Sequence, residues 1–285
     1  MSETPPVILW LRRDLRLSDH PAMTAALNTG QPVIPVYIRD ELVDGLGAAP
    51  KWRLGLSIEA HGAALEGIGS KLILRSGAAM DVLKALAQET GATAVHWHRA
   101  YDPDSIARDT AVKEGLKDAG LDAQSHAGHL LFEPWTVETG SGGFYKVYSP
   151  MWKAVRNRDV AEPLRAPSSL PAPVTWPHSE RLDDWALGKA MDRGAEVCLP
   201  HQRVGEDKAR DRLYRFTSDV IADYDTQRDF PAVDGTSGLS ENLALGEISP
   251  RTCWHAGQRA LSDGKPGAET WLKELVWREF AYHLV

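Results

Sequence analysis

Five of the six residues from 235 to 240 are small: Gly235, Thr236, Ser237, Gly238 and Ser240 in the stretch DGTSGLSENLALGEISPR. An apolar helical pattern follows at once. Small donors at the start of a helix suit a phosphate, because the first-turn N–H groups are unpaired and the helix dipole favours an anion. A plain loop with Ser240 as N-cap would give the same pattern. The last helical stretch, ETWLKELVWREFAYHLV, carries a second constellation. Trp271, Glu274 and Arg278 are spaced 3 and 4 and so share a face, with Trp277 beside them. Leu272, Leu275, Val276, Phe280 and Leu284 occupy the rest of the circumference, so the helix reads as buried nearly all round. A carboxylate and a guanidinium buried there need partners, whereas on a surface they would be an ordinary helix pair. Together the two segments suggest a flat ligand with phosphates, its rings stacked on Trp and its polar edges on Glu and Arg.

Other groups that do chemistry are sparse. Cys198 and Cys253 form no CxxC, which fits a reducing cytoplasm and makes a zinc or iron–sulfur site a poor reading. His126 and His129 lie three apart without an evident third ligand, so no metal is expected. No Ser/His/Asp or Cys/His pattern stands out. In KVYSPMWKAVRNR, Lys146, Lys153, Arg156 and Arg158 form either a phosphate-facing strip or a solvated helix face. KARDRLYR (208–215) reads as a solvent-exposed face, and the loop RRDLRLSD, with Arg12, Arg13, Asp14, Arg16 and Asp19, as a salt-bridge network.

These residues need a scaffold. VILWL (7–11), PVIPVYI (32–38), KLILRSG (71–77), ATAVHWH (92–98) and LDAQSHAG read as strands alternating with helices, the signature of a parallel, doubly wound five-stranded sheet. Ligands of such sheets sit beyond the strand carboxyl ends. No GxGxxG follows the first strand, so a dinucleotide site is not expected there. WHRAYDPDS (97–105) lies after the fourth strand, where Asp102 is a candidate ligand contact or simply a helix N-cap. The expected organisation is an α/β domain over 1–131, a long Pro- and Gly-rich linker over 132–200, and an all-α body over 201–285. The chain stops on an apolar run within a helical pattern, which reads as a fragment. A net charge of −7 argues against non-specific coating of nucleic acid, though a local basic patch can still bind phosphates. No apolar run is long enough for a membrane span.

WLRRDLRLSDHPAM (10–23), LFEPWTVE (131–138), VYSPMWKA (147–154), RDFPAVDGTSGLS (228–240), LGEISPR (245–251) and WLKELVWREFAYHL (271–284) together resemble the DNA photolyase/cryptochrome family, in order along the whole chain. The resemblance implies an antenna domain, a linker and a helical domain holding FAD. By matching position it implies FAD contacts at Tyr224, Thr236, Ser237, Gly238, Leu239, Ser240, Leu243, Trp271, Glu274 and Arg278. Glu274 and Trp277 would face the lesion as the catalytic pair, with Arg228 near the DNA backbone. The implied activity is that of a monomeric, cytoplasmic deoxyribodipyrimidine photolyase. An electron from excited, reduced FAD would open a pyrimidine dimer flipped out of UV-damaged DNA, assisted by a second antenna chromophore of folate or deazaflavin type. A cryptochrome-type photoreceptor without repair, or a nucleotide-binding protein without photochemistry, would share parts of the pattern. Gly238 stands where many relatives carry a basic residue, and the rest of the flavin pocket lies past Val285 in the family. Weak FAD binding by these 285 residues is therefore expected.

Overall fold

The computed structural model describes residues 4–285. Strand β1 (Val7–Leu11) lies at the centre of a parallel sheet with β2 (Val33–Arg39), β3 (Ile73–Ser76), β4 (Ala94–His98) and β5 (Asp122–His126), in the order β3-β2-β1-β4-β5. Alternation sends Val7, Leu9 and Leu11 to one face, where α1 (Pro21–Asn28) and α3 (Ala48–Gly67) pack. Ile8 and Trp10 face the other way, against α4 (Ala79–Thr90) and α5 (Pro103–Asp118). Every residue of β1 is fully buried, as a strand covered on both faces requires. The short α2 (Glu41–Asp44) follows β2. The strand order reverses between β1 and β4, which leaves a crevice beyond their carboxyl ends.

The connection is more ordered than a surface loop. Its helix α6 (Tyr148–Val155) buries Met151, Trp152 and Val155 in the core of the helical body. Further on, Leu170, Trp185 and Leu187 pack on the α/β core, and α7 (Arg193–Cys198) precedes the helical body. That body comprises α8 (Glu206–Arg215), α9 (Tyr224–Gln227), α10 (Ser240–Leu245), α11 (Pro250–Ser262) and α12 (Ala268–His283). Between α8 and α9 the chain winds as a π turn, then a 3₁₀ turn, and does not continue as one helix. No helix among the described residues is long and apolar enough to cross a membrane.

A polar junction fixes the two bodies to each other. The Glu247 carboxylate is fully buried and accepts hydrogen bonds from Arg53 Nη1 (3.0 Å) and Nη2 (2.6 Å), Ser57 Oγ (2.7 Å), Gly205 N–H (2.9 Å) and Asn242 Nδ2 (2.6 Å). Arg53 and Ser57 belong to α3, whereas Glu247 follows α10. Arg16, also buried, donates to the carbonyls of Asp19, Gly128 and Gly246. Arg251 pairs with Asp19, and Glu206 accepts the Leu17 N–H at 2.6 Å. The charged loop after β1 is thus a network, but its partners come from α5, α8 and α11 more than from within the loop. Gly246 ends α10 at φ +68°, and a Cβ there would lie 2.1 Å from the Arg13 carbonyl oxygen. Only glycine fits both conditions.

Stability is expected to fall on acidification. Burial holds His61 and His98 down to about 3, and burial together with the nearby Arg278 holds His129 well below its ordinary value. Each stays neutral when folded but takes a proton near pH 6.5 when unfolded, so the stability it contributes above 6.5 is lost as pH falls below that value. Glu279 acts in the opposite sense. Burial pushes it up to about 7, so the folded form holds a proton that the unfolded chain has released. Each group contributes a slope of at most about 1.4 kcal/mol per pH unit. His61, His98, His129, the depressed His126 and the low carboxyl of Asp14 together oppose the one raised carboxyl, and the net slope is destabilising toward acid. The urea midpoint should be clearly lower at pH 5 than at pH 7.5, and His98→Asn should flatten that difference. Equal midpoints at the two pH values would contradict this balance.

Candidate functional site

The hydroxyl-rich loop and α12 are neighbours in the helical body. Thr236, Gly238 and Ser240 are exposed and Ser237 is half-buried. Apart from Leu239 N–H on Ser237 Oγ at 3.5 Å, these hydroxyls have no hydrogen-bond partner among the described residues. Ser240 does not cap α10, as the plain-loop reading would have it. It is the first helical residue, the N-cap position is Leu239, and no side chain caps the first turn. Gly235 is pressed against Gln227, where a Cβ would lie 2.7 Å from that side chain, and Gly238 sits at φ +61°. Arg212 grips the loop through the Gly238 carbonyl (2.7 Å), Glu241 (2.6 Å) and Asn242 (2.9 Å). This corrects the expectation that 208–215 is only a solvated face. Leu239 and Leu243 are buried beneath the loop. Free hydroxyls beside uncapped first-turn N–H groups fit a phosphate-bearing group.

The expectation of one shared, buried face on α12 is corrected. Trp271 is buried and packs on Phe216, with ring centroids 5.0 Å apart. Glu274 is half-exposed and pairs with Arg228, not with Arg278. The Arg228 guanidinium also lies over the buried Tyr224 ring at 5.7 Å. Trp277 is 45% exposed, so α12 keeps one wet face along Lys273, Glu274 and Trp277. Arg278 turns toward the α/β domain, where its guanidinium meets Glu279 (3.0 Å) and His129 Nε2 (3.0 Å). The buried carboxylate of α12 is Glu279, which accepts the N–H groups of Leu131 (2.7 Å) and Phe132 (3.2 Å). Its place in WREF gave no hint of partners some 150 residues earlier.

A cavity of about 600 Å³ opens beyond the strand carboxyl ends. Its apolar wall includes Tyr37, Leu42, Val43, Leu46 and Leu54, and α10 closes it with Glu241, Ala244 and Leu245. Asp102 lines it and caps α5 by accepting the Ser105 N–H at 3.0 Å, as the N-cap reading has it. Arg12, Arg53 and Arg108 there are paired with carboxylates. Arg13 is exposed and donates only to the Ala244 carbonyl among the described residues.

His126 and His129 part company. His126 Nε2 meets His96 Nδ1 at 3.0 Å, whereas His129 meets Tyr282 and Arg278. Asp14, His20 and His98 bring three buried ligand atoms within 4.8 Å of one another. His20 Nδ1 accepts the Met23 N–H (3.0 Å) and His98 Nε2 the Ala22 N–H (3.2 Å). In each neutral ring the remaining nitrogen therefore carries the proton and faces Asp14 Oδ2, at 3.3 and 3.0 Å. Burial works to raise the Asp14 carboxyl, but those two rings outweigh it and hold it well below its usual range. The cluster ties α1 to the strand ends.

The DNA photolyase family model matches residues 7–171. The chain is 45% identical to a deoxyribodipyrimidine photo-lyase of Agrobacterium fabrum, over 99% of this chain and 60% of that protein. It is 34% identical to one from a Synechococcus strain, over 98% of this chain and 60% of that one. The crystal structure of a bacterial class III photolyase from Agrobacterium tumefaciens superposes with a TM-score of 0.94 at 44% identity, covering all of this chain and 59% of the other. The chain thus spans about 60% of the length of these curated relatives.

Proposed function

Because the chain belongs to the DNA photolyase family, we propose that it forms the antenna domain, the connection and the first part of the flavin-binding body of an enzyme that repairs cyclobutane pyrimidine dimers with light. The observation that carries this reading is Trp277. It is an indole held in place yet 45% exposed, one turn from the Glu274–Arg228 pair, on the helix that borders the hydroxyl-rich loop. An indole fixed in orientation beside an ion pair suits a planar group that carries polar edges. A flipped dimer is that group here. Extruding it costs a few kcal/mol, less than for an intact base, and stacking on an aromatic returns about 1–3 kcal/mol.

Held by the loop and α12, reduced FAD would supply light-driven one-electron chemistry, lending an electron to the dimer and taking it back once the ring bonds have opened. Thr236, Ser237 and Ser240 would hold its diphosphate beside the uncapped turn of α10, with Gly238 leaving room for close approach. Tyr224, Leu239, Leu243, Trp271 and Glu274 would be the remaining contacts, whereas Arg278 would join them only by leaving Glu279 and His129. Trp271 and Leu239, both buried, would act mainly by shaping the floor. Glu274 stands ready to accept hydrogen bonds from the dimer's polar edge, while Arg228 neutralises it and faces the phosphate backbone. Lys146, Lys153 and Arg156, exposed on and beside α6, extend that basic border. The strand-end cavity, at about 600 Å³, is of ligand size. It would take the antenna chromophore, of folate or deazaflavin type, with Arg13 free to meet an acidic tail. The protein would act as a monomer in the cytoplasm, a reading that its two free cysteines support.

Among the described residues the cavity is at the strand ends, whereas the loop and α12 leave the flavin side open. The 285 residues alone are therefore expected to hold FAD weakly, with a dissociation constant well above 1 μM, since 1 μM needs about 8 kcal/mol of net binding. Titrating FAD fluorescence with the chain measures this. Flavin retained at one per chain through gel filtration would contradict it.

A further inference from the structure

Trp277 does not hold its position alone. Tyr148, in the first turn of α6, stacks face to face on the indole with ring centroids 3.8 Å apart and planes 8° from parallel. Phe280 meets both rings edge-on, at 5.6 Å from Trp277 and 5.9 Å from Tyr148. The Tyr148 hydroxyl donates to the Lys273 carbonyl at 2.7 Å. Helix geometry assigns that same carbonyl to the backbone N–H of Trp277, four residues on. Tyr148 is thus tied to the very turn that carries the tryptophan. Its own helix is anchored, because Met151, Trp152 and Val155 are buried in the helical core. With one face of the indole covered and an edge packed, its 45% exposure belongs to the opposite face.

We infer that Tyr148 is a positioning residue for lesion recognition: it fixes Trp277 as one wall of a two-ring platform whose open face receives the planar dimer. This rests on the reading of Trp277 given under the proposed function. The physical reason is preorganisation. An exposed indole samples several rotamers, and a base that stacks on it must first select one. A parallel partner removes that choice beforehand. The linker therefore reaches the recognition surface through this ring as well as through its basic border.

The test measures affinity of the chain for a short single-stranded oligonucleotide containing one cyclobutane thymine dimer, against the same strand undamaged. Variants are Tyr148→Ala, Tyr148→Phe and Trp277→Ala. Tyr148→Ala should cut the preference for the dimer about three- to tenfold, the range of an aromatic pair's coupling, with affinity for undamaged strand unchanged. Tyr148→Phe keeps the ring and should keep the preference, which a general loss of folding would not allow. If Tyr148→Ala keeps the full preference while Trp277→Ala loses it, the inference fails and the reading of Trp277 stands. If Tyr148→Phe loses as much as Tyr148→Ala, the hydroxyl and not the stack is responsible, and the inference fails. If the unmutated chain binds both strands equally, or Trp277→Ala changes nothing, the reading of Trp277 falls and takes this inference with it.

Discussion

Glu247→Ala should cost about 3–5 kcal/mol of stability, the usual penalty for removing one partner of a buried ion pair. The substitution leaves the buried Arg53 guanidinium, of which Nη1 and Nη2 both rest on Glu247, dependent on a long pairing to Glu241 (3.4 Å) and on the Ser57 hydroxyl. It also leaves the Gly205 N–H without its acceptor, and leaves the Asn242 amide and the Ser57 hydroxyl with only the carbonyls of Arg203 and Arg53. Domains are stable by only about 5–15 kcal/mol, so a loss of this size is a large share of the whole. A fall of roughly 10 °C in melting temperature is expected for a protein of this size. Because Arg53 belongs to α3 and Glu247 follows α10, the two bodies should also separate in their unfolding. Calorimetry of Glu247→Ala beside the parent checks both effects. A change under 1 kcal/mol with a single transition would mean that water replaces the carboxylate and that the junction is less closed than its burial implies.

Trp277→Ala should reduce the preference for dimer-containing over undamaged DNA by about 5- to 150-fold, the equivalent of 1–3 kcal/mol of base stacking. Stability should fall by only about 1–2 kcal/mol, because the ring gives up its stack on Tyr148 but is 45% exposed and leaves no sealed cavity. That separation distinguishes it from Trp271, which packs on Phe216 in the core and whose truncation should cost about 3–5 kcal/mol. The two tryptophans lie six residues apart on one helix and look alike in sequence, yet one is a wall of the core and the other a surface for a ligand. Fluorescence anisotropy with labelled oligonucleotides reports the first effect, and thermal melting the second. An unchanged preference with a large stability loss would reverse the two roles.

The α/β half was legible because its signals are local. Short continuous apolar runs such as VILWL and PVIPVYI, alternating with helical patterns and with proline at the first turns of α1 and α5, place the strands within a residue or two of where they lie. The hydroxyl-rich loop and α12 were legible as motifs, but their environments were not. Spacing alone grouped Trp271, Glu274 and Arg278 on a buried face. The fold then sends Arg278 to His129 and Glu274 to Arg228, because tertiary partners decide which way a long side chain leans. Glu247, Glu279 and Tyr148 were passed over for the same reason. Each owes its role to a partner more than 100 residues away, as with Arg53 to Glu247 or Tyr148 to Lys273, and no periodicity carries that information. A helix in KVYSPMWKAVRNR is within reach of the sequence, but its burial was not legible, since Met151, Trp152 and Val155 occupy only two turns.

The most direct test of the account is loss of cyclobutane dimers from a defined oligonucleotide incubated with the flavin-loaded, photoreduced protein, in blue light and in the dark. The account predicts dimer loss in light, none in the dark, and restoration of intact thymines with no strand breakage. Flavin absorbance without any light-dependent loss of dimers would contradict it and leave a light sensor that shares the fold.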